Sequence, residues 1–438
     1  MNYSQTIEYL FSTTPSFQQV GADAYKPGLE RIRDFCHYLG DPQEDYLTIH
    51  VAGTNGKGSV SHMLASVLQH AGYRVGLFTS PHLRDFRERM RVNGKMISER
   101  EVVDFVARHK AKMRELDLSF FEMTTAMAFD FFAASEVEIA VIETGLGGRL
   151  DATNIITPEV SVVTNIGLEH TDLLGDTIEK VAFEKAGIIK AGVPIVLGEA
   201  SELYNAVFEQ RAEELHSKVI YAEQEFLLNG VEHFDNQHQH FSITRVRDNR
   251  LFELDLDLLG EYQRHNIITA CAAADYLAEL TPLTISRRAF REGLAAAAAN
   301  TGFMGRWQVI ATEPYTVCDT GHNADGMRLV ASQLEALEGD RIFAVMGFAK
   351  DKDLNKIMPL LPKNIHYIFT KASIDRARCV EDIALMADGL GLDYECKATV
   401  TEALTYARSL ALASDVIFIG GSNFVVAEVE EITRSVAE

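Results

Sequence analysis

Between an apolar run (Tyr46, Leu47, Ile49) and a segment of helical period lies His50-Val-Ala-Gly-Thr-Asn-Gly-Lys-Gly-Ser59. Strand, glycine loop and helix in that order make a phosphate cradle. The glycines let backbone N–H groups turn onto a polyphosphate, the lysine reaches the terminal phosphates, and the hydroxyl can face a magnesium ion. Thr54, Asn55, Gly56, Lys57, Gly58 and Ser59 are therefore candidate contacts for a nucleoside triphosphate. The fit to the generic pattern G-x-x-x-x-G-K-[ST] is imperfect: Val51 holds the first glycine position and Gly58 separates Lys57 from Ser59. After the loop, Val60, Met63, Leu64, Val67, Leu68 and Ala71 recur at helical steps, which predicts one buried helix face ending at Gly72.

Further along, the continuous apolar runs Leu47–Val51, Val75–Thr79, Ile139–Ile142, Val160–Thr164 and Ile195–Leu197 alternate with helical segments, the pattern of a mostly parallel sheet covered on both faces. Ligands of such sheets sit at the carboxyl ends of the strands. Residues 218–259 change to an alternating pattern around turn signals, which predicts a small antiparallel patch. His233, His238 and His240 fall in it as solvated side chains rather than metal ligands. After a helical stretch and an alanine run, strands near Ile342–Met346, Tyr367–Thr370 and Val416–Ile419 predict a second, smaller Rossmann-like α/β domain. The expected division is 1–298 and 299–438.

Composition excludes several alternatives. A net charge of −22 argues against a nucleic-acid partner. Five cysteines without C-x-x-C spacing suggest neither a disulfide framework nor a zinc site, which fits the cytoplasm. No leader-like N-terminus or long apolar run is found, so neither export nor a membrane is expected. Arg84, Arg87, Arg89 and Arg91 form a local basic group, open to reading as an anion contact or as a solvated face.

Three residues stand where strand-end chemistry is expected, and a fourth, Lys185, stands apart on a helix. Ser80 ends the second strand, Glu143 follows the third, and His170 lies just after the fourth; a strand-end carboxylate is where nucleotide enzymes hold magnesium or its waters. Lys185 shares a helix face with Val181, Ala182, Ile188 and Ile189 and so points inward. An inward lysine must snorkel, pair or lose its proton, and a neutral amine can add carbon dioxide to become a carbamate. Gly145-Leu-Gly-Gly-Arg-Leu-Asp151 is either a ligand-approach loop or a plain turn.

These motifs, in this order, resemble folylpolyglutamate synthase and dihydrofolate synthase, folate-pathway members of the Mur ligase superfamily. The resemblance runs through His50–Ser59 with its extra glycine, Phe78-Thr-Ser-Pro-His-Leu83, Glu143–Asn154, Glu169-His-Thr171 and Glu184-Lys-Ala-Gly-Ile188. It implies a ligase that passes the γ-phosphoryl group of ATP to a carboxylate and lets L-glutamate attack the acyl phosphate. Ser80, Glu143, His170 and a carbamylated Lys185 would hold two magnesium ions, with potassium a further cation. Asn266, Arg306 and Asp319 would reach the nucleotide, and His322 would assist near the phosphates. Tyr25-Lys26-Pro27, Phe120-Phe121-Glu122 and Leu150-Asp151-Ala152 match the dihydropteroate site of the bifunctional bacterial enzymes. The first domain would bind ATP and pteridine; the second would close over ATP and bind glutamate. Dihydropteroate, reduced folates and L-glutamate are then the substrates of a cytoplasmic monomer. A monofunctional folylpolyglutamate synthase, a P-loop kinase and a non-catalytic nucleotide-binding protein are the alternatives.

Overall fold

The computed structural model describes residues 1–14, 26–233 and 236–433. Backbone contacts divide the chain into two compact units. The first takes in Met1–Glu232, His240–Asp257 and Gln263–Thr301, and the second His233–Gln239, Leu258–Tyr262 and Gly302–Glu438.

In the first unit the strands are β1 (Leu47–Ala52), β2 (Val75–Phe78), β3 (Met90–Val92), β4 (Lys95–Met96), β5 (Ile139–Glu143), β6 (Val160–Val163), β7 (Ile195–Leu197) and β8 (Val219–Tyr221). They form one sheet in the order β4-β3-β2-β5-β1-β6-β7-β8. Pairing is parallel from β2 to β8 and antiparallel for β2–β3 and β3–β4. β1 lies between β5 and β6, and Val51 pairs with Glu143. The strand that feeds the glycine loop thus has the tips of β5 and β6 on either side.

The sheet is buried on both faces, as its Val/Ile runs require. Phe78, Ala140 and Ile142 join an aromatic cluster with Phe35, Phe105, Phe129 and Phe132. Ala52, Val163, Ile195 and Leu197 pack with Ala182, Ala186, Ile188 and Phe208.

The helix after the loop, Lys57–His70, departs from the one-faced expectation, because every residue from Ser59 to Leu68 is buried. Its outer side is covered by the helices Gln263–Leu280, Arg287–Ala295 and Ala297–Thr301. Two of the polar residues that a one-face reading assigns to solvent, His62 and Ser66, serve this second layer. Ser66 Oγ donates to Gly293 O (2.6 Å), Asn300 Nδ2 donates to Ser66 Oγ (2.9 Å), and His62 Nδ1 lies 2.7 Å from Thr301 Oγ1.

The predicted patch is a separate sheet of three strands in chain order: β9 (Phe226–His233), β10 (Gln239–Arg245) and β11 (Arg250–Leu256). His240 is not simply solvated: Asp255 and Glu253 flank its two ring nitrogens at 2.9 and 2.8 Å and raise its pKa.

The second unit is a six-stranded α/β sheet of β12 (Gln308–Thr312), β13 (Tyr315–Cys318), β14 (Ile342–Met346), β15 (His366–Phe369), β16 (Asp393–Cys396) and β17 (Val416–Gly420). Its order is β12-β13-β17-β14-β15-β16, with only the β12–β13 pair antiparallel. Among the described residues no helix is long and apolar enough to cross a membrane.

The loop helix and its cover meet most closely at Gly293, where an added Cβ would stand 2.5 Å from Val67 Cα and 3.0 Å from Ser66 O. Both neighbours are backbone and cannot rotate away. Gly293→Val is therefore expected to destabilise the first unit by about 1–3 kcal/mol, the usual cost of overpacking, seen as a fall of several degrees in thermal melting. An unchanged melting temperature would contradict this close approach.

Candidate active site

Beyond Ala52 the chain turns through Gly53 (φ +148°) and Gly56 (φ +85°) into the helix Lys57–His70. A Cβ on Gly53 would lie 1.9 Å from Thr164 Oγ1, and one on Gly56 2.2 Å from Asn266 Oδ1, so both positions need glycine. The segment after β6 braces the loop. Thr54 Oγ1 donates to Gly167 O (3.1 Å) and accepts from Gly167 N (2.9 Å); Asn55 N donates to Asn165 Oδ1 (2.9 Å); Thr164 Oγ1 donates to Asn55 O (2.5 Å). From the other side, Asn266 Nδ2 donates to Gln263 Oε1 (2.8 Å) and Gln263 Nε2 to Ser59 Oγ (3.3 Å). The loop's shape is thus fixed by the fold, which is what pre-organised anion binding needs.

Two lysines converge on this loop. Lys57 Nζ donates to the carbonyls of Gly53 (3.0 Å) and Thr54 (3.1 Å), and Lys185 Nζ donates to the same Gly53 carbonyl at 2.7 Å. Lys185 is buried near the end of the helix Ile178–Ala186. Burial first, and the Lys57 charge second, bring its pKa down to about 7 against the opposing pull of Glu169 and Asp151. Neither snorkelling nor a direct ion pair describes it, and a large fraction of this amine is neutral near neutral pH.

Glu143 is buried at the tip of β5, and its Oε2 accepts from the backbone N–H of Ser80 (3.0 Å). Arg89, also buried, is close enough to feel that carboxylate; burial lowers its pKa to about 10, so it stays charged at neutral pH. Its Nε donates to His82 Nδ1 (2.8 Å). His170 takes a left-handed conformation (φ +52°) just before the turn Thr171–Leu174, with Nε2 3.6 Å from Glu169 Oε1. Among the described residues no three His, Cys, Asp or Glu side chains gather to hold a metal by themselves. Magnesium keeps several waters and takes one or two carboxylates together with substrate phosphates. A single buried carboxylate beside a serine, at the strand tip next to the phosphate loop, fits that demand.

The glycine run after Glu143 serves close packing rather than an open cradle. A Cβ on Gly148 would meet Glu184 O at 2.9 Å and Lys185 O at 3.1 Å, while one on Gly187 would meet Arg149 Cα at 2.4 Å. Arg149 N donates to Glu184 O (2.7 Å), and its guanidinium pairs with Glu184 (2.8 Å). The run therefore clamps the helix that carries Lys185. Asp151 is buried beneath it: Oδ1 accepts from Thr153 N (3.0 Å) and Thr153 Oγ1 (2.5 Å), Oδ2 from Leu146 N (2.8 Å). His50 Nε2 lies 2.8 Å from Thr153 Oγ1, and burial lowers its pKa to about 3, so it is neutral.

The residues matched to a pteridine site separate into surface and scaffold. Phe121 is partly exposed, its ring against Gly145, where a Cβ would stand 2.4 Å from it, and its centroid 5.9 Å from that of Phe78. Phe120 is core, stacked on Phe11 at 4.8 Å. Glu122 is buried in the capping box of the helix Phe120–Ala134 and pairs with Arg31, which the sequence reading passed over. Lys26 pairs with Asp117 (2.7 Å). Leu150 is partly exposed and Ala152 buried. Tyr25 lies outside the described residues. The arginine group also divides: Arg87 pairs with Asp85 (2.8 Å), the cap of its own helical turn, and Arg91 Nη1 donates to Gly94 O (3.1 Å) within the β3–β4 hairpin.

In the second unit Asp319 is an anchor. It accepts from Tyr262 Oη (2.6 Å), Trp307 N (2.9 Å) and Gly321 N (2.7 Å). This fixes the turn that presents Arg306, whose guanidinium lies over Phe303. His322 Nδ1 is 2.9 Å from Thr320 O, which sets that ring's tautomer as a donor there.

The chain is similar to known proteins along nearly its whole length. A family model described as the Mur ligase middle domain matches residues 51–274, and one described as the Mur ligase glutamate ligase domain matches residues 305–423. The dihydrofolate synthase/folylpolyglutamate synthase of Bacillus subtilis is 32% identical over 422 residues, 93% of this chain and 95% of the relative. A probable bifunctional folylpolyglutamate synthase/dihydropteroate synthase of Haloferax volcanii is 35% identical over 98% of this chain, which spans 50% of that relative's length. Among solved structures, E. coli FolC in complex with DHPP and ADP superposes with a TM-score of 0.86 at 29% identity, covering 100% of this chain and 99% of its own.

The buried Lys185 makes a pH prediction. An amine with a pKa near 10.5 when unfolded and about 7 when folded binds more protons in the unfolded state between those values, so stability rises with pH across that window. In CO2-free buffer, Lys185→Met is expected to melt above wild type at pH 7, and the gap should close as the pH approaches 10.5. A pH-independent gap would show an amine that is not desolvated.

Proposed function

The chain belongs to the Mur ligases, in their dihydrofolate synthase/folylpolyglutamate synthase family, and we propose that it adds L-glutamate both to dihydropteroate and to reduced folates and their polyglutamates. It is an ADP-forming ligase that uses ATP. The γ-phosphoryl group passes to the substrate carboxylate, giving an acyl phosphate and ADP. The glutamate amine then attacks the acyl carbon, phosphate leaves, and the nitrogen loses a proton.

What most supports this reading is the pair of lysines on the Gly53 carbonyl. Lys57 presents a positive charge to the terminal phosphates. Lys185 supplies a desolvated amine that can attack carbon dioxide, forming an N–C bond and releasing one proton. The resulting carbamate replaces a positive charge with oxygen donors. Ser80, Glu143, His170 and that carbamate would hold two magnesium ions, which when bound spread the charge of the transferring phosphoryl group. The loop N–H groups, Ser59 and Asn266 bind the polyphosphate and nucleotide on this reading.

Phe121, with Pro27 and Leu150, gives a flat ligand an apolar face. Assigning ATP and pteridine to residues 1–298, and glutamate to residues 299–438 closing over ATP with Arg306, Asp319 and His322, belongs to the same proposal. So do a monomeric state, a cytoplasmic location and any use of potassium. A kinase shares the phosphate loop but has no need of Lys185.

With purified protein, ADP release is expected to require both L-glutamate and either dihydropteroate or tetrahydrofolate. Activity on tetrahydrofolate alone would leave a monofunctional enzyme, and glutamate-independent ADP release would favour a kinase. Lys185→Ala is expected to abolish turnover, with partial recovery when a short carboxylic acid is added. Full activity of the variant without any addition would contradict the carbamate.

A further inference from the structure

We infer that Arg31 is a positioning residue for the pteridine end of the substrate, fastening the Lys26–Pro27 segment to the helix that carries Phe121. The inference rests on the folate-ligase reading above and assigns a role to a side chain that the reading does not use.

Arg31 lies on the helix Glu30–Leu39, 91 residues from its partner. Its Nε donates to both carboxylate oxygens of Glu122, at 3.1 and 3.3 Å. Its Nη2 donates backwards to the carbonyls of Lys26 (2.8 Å) and Pro27 (3.4 Å). Glu122 is itself fixed: Oε2 accepts from Ser119 N (2.7 Å), and Ser119 Oγ accepts from Glu122 N (3.2 Å). One guanidinium therefore joins a loop backbone to the first turn of the helix whose Phe121 ring faces Gly145. Only the planar fork of arginine serves a carboxylate and two carbonyls at once.

A second tie holds the same segment, the pair between Lys26 and Asp117, but Asp117 is 82% exposed. Such a pair is screened and weak. The Glu122 side of the Arg31 bridge is only 4% exposed, so that bridge carries most of the restraint. Without it, the Lys26–Pro27 backbone is no longer fastened to the first turn of the Phe121 helix, and binding a rigid ring system there would carry the cost of reordering that segment.

Arg31→Ala and Arg31→Lys in the full chain test this. Both are expected to raise KM for dihydropteroate and for tetrahydrofolate, and the directly measured Kd for dihydropteroate, by about tenfold or more, equivalent to about 1.4 kcal/mol of lost positioning. At saturating pteridine, kcat and the KM for ATP should stay within about twofold of wild type. Lys at position 31 should recover little, because it keeps the charge and loses the fork. Glu122→Gln should move the pteridine constants in the same direction by a smaller factor.

Unchanged pteridine constants would overturn the inference. So would a loss confined to kcat, or a parallel rise in the KM for ATP that marks general loosening. If the wild type binds dihydropteroate but ligates no glutamate, the ligase reading fails while the Kd comparison still decides the role of Arg31. If it binds no pteridine at all, both fail.

Discussion

The carbonyl oxygen of Gly53 accepts hydrogen bonds from two lysine side chains, and the site is organised around that convergence. It requires a glycine where the backbone turns sharply off the central strand, a helix starting at Lys57, and a second helix, packed in one cluster with β1, β6 and β7, that brings in Lys185. A buried amine that shares one carbonyl with a second amine is costly to keep charged. Lys57 opens the helix that follows the loop and is only half-buried, whereas Lys185 is fully buried and its pKa is lowered, by burial first and by the Lys57 charge second. One carbonyl thus joins a half-buried lysine to a fully buried one.

Holding Lys185 there takes much of the surrounding structure. The Gly145–Gly148 run lies against the carbonyls of Glu184 and Lys185, and Arg149 grips Glu184 from outside. Asp151 closes the run from below through Leu146, and Thr153 connects Asp151 to a neutral His50 on β1. These buried polar groups link the central strand, the glycine run and the lysine helix, so each depends on the placement of the others. The second layer of helices over Lys57–His70 does the same for the loop itself, since Gln263 and Asn266 reach the loop from its first member.

Much of this was legible in the sequence. β1, β2, β5, β6 and β7 are short runs dominated by apolar residues, the signature of parallel strands buried on both faces, even though β1 also buries Thr48 and His50 and β6 buries Ser161. The loop was legible because its glycines and lysine carry chemistry at fixed spacing. The short strands β3 and β4 escaped because Arg91 and Lys95 interrupt any apolar signature; β8, only three residues long, fell inside the stretch 218–259 read as an antiparallel patch, whereas it pairs in parallel with β7 at the edge of the large sheet. The all-round burial of residues 59–68 escaped because Ser61, His62 and Ser66 read as a solvent face until the covering helices are in place. Arg31 belongs to the same class: nothing near it in sequence shows that its partner is Glu122. The roles of Glu122 and Asp319 as internal anchors escaped too, because a carboxylate bound to backbone N–H groups looks, in one dimension, like one waiting for a ligand.

The central claim is that Lys185 is a neutral, reactive amine beside the phosphate loop. Carbon-13 NMR of the protein equilibrated with 13C-bicarbonate near pH 8 addresses it most directly. A slowly exchanging carbamate resonance that is present in wild type and missing in Lys185→Ala is the expected result. A wild-type spectrum indistinguishable from that of the variant would contradict it.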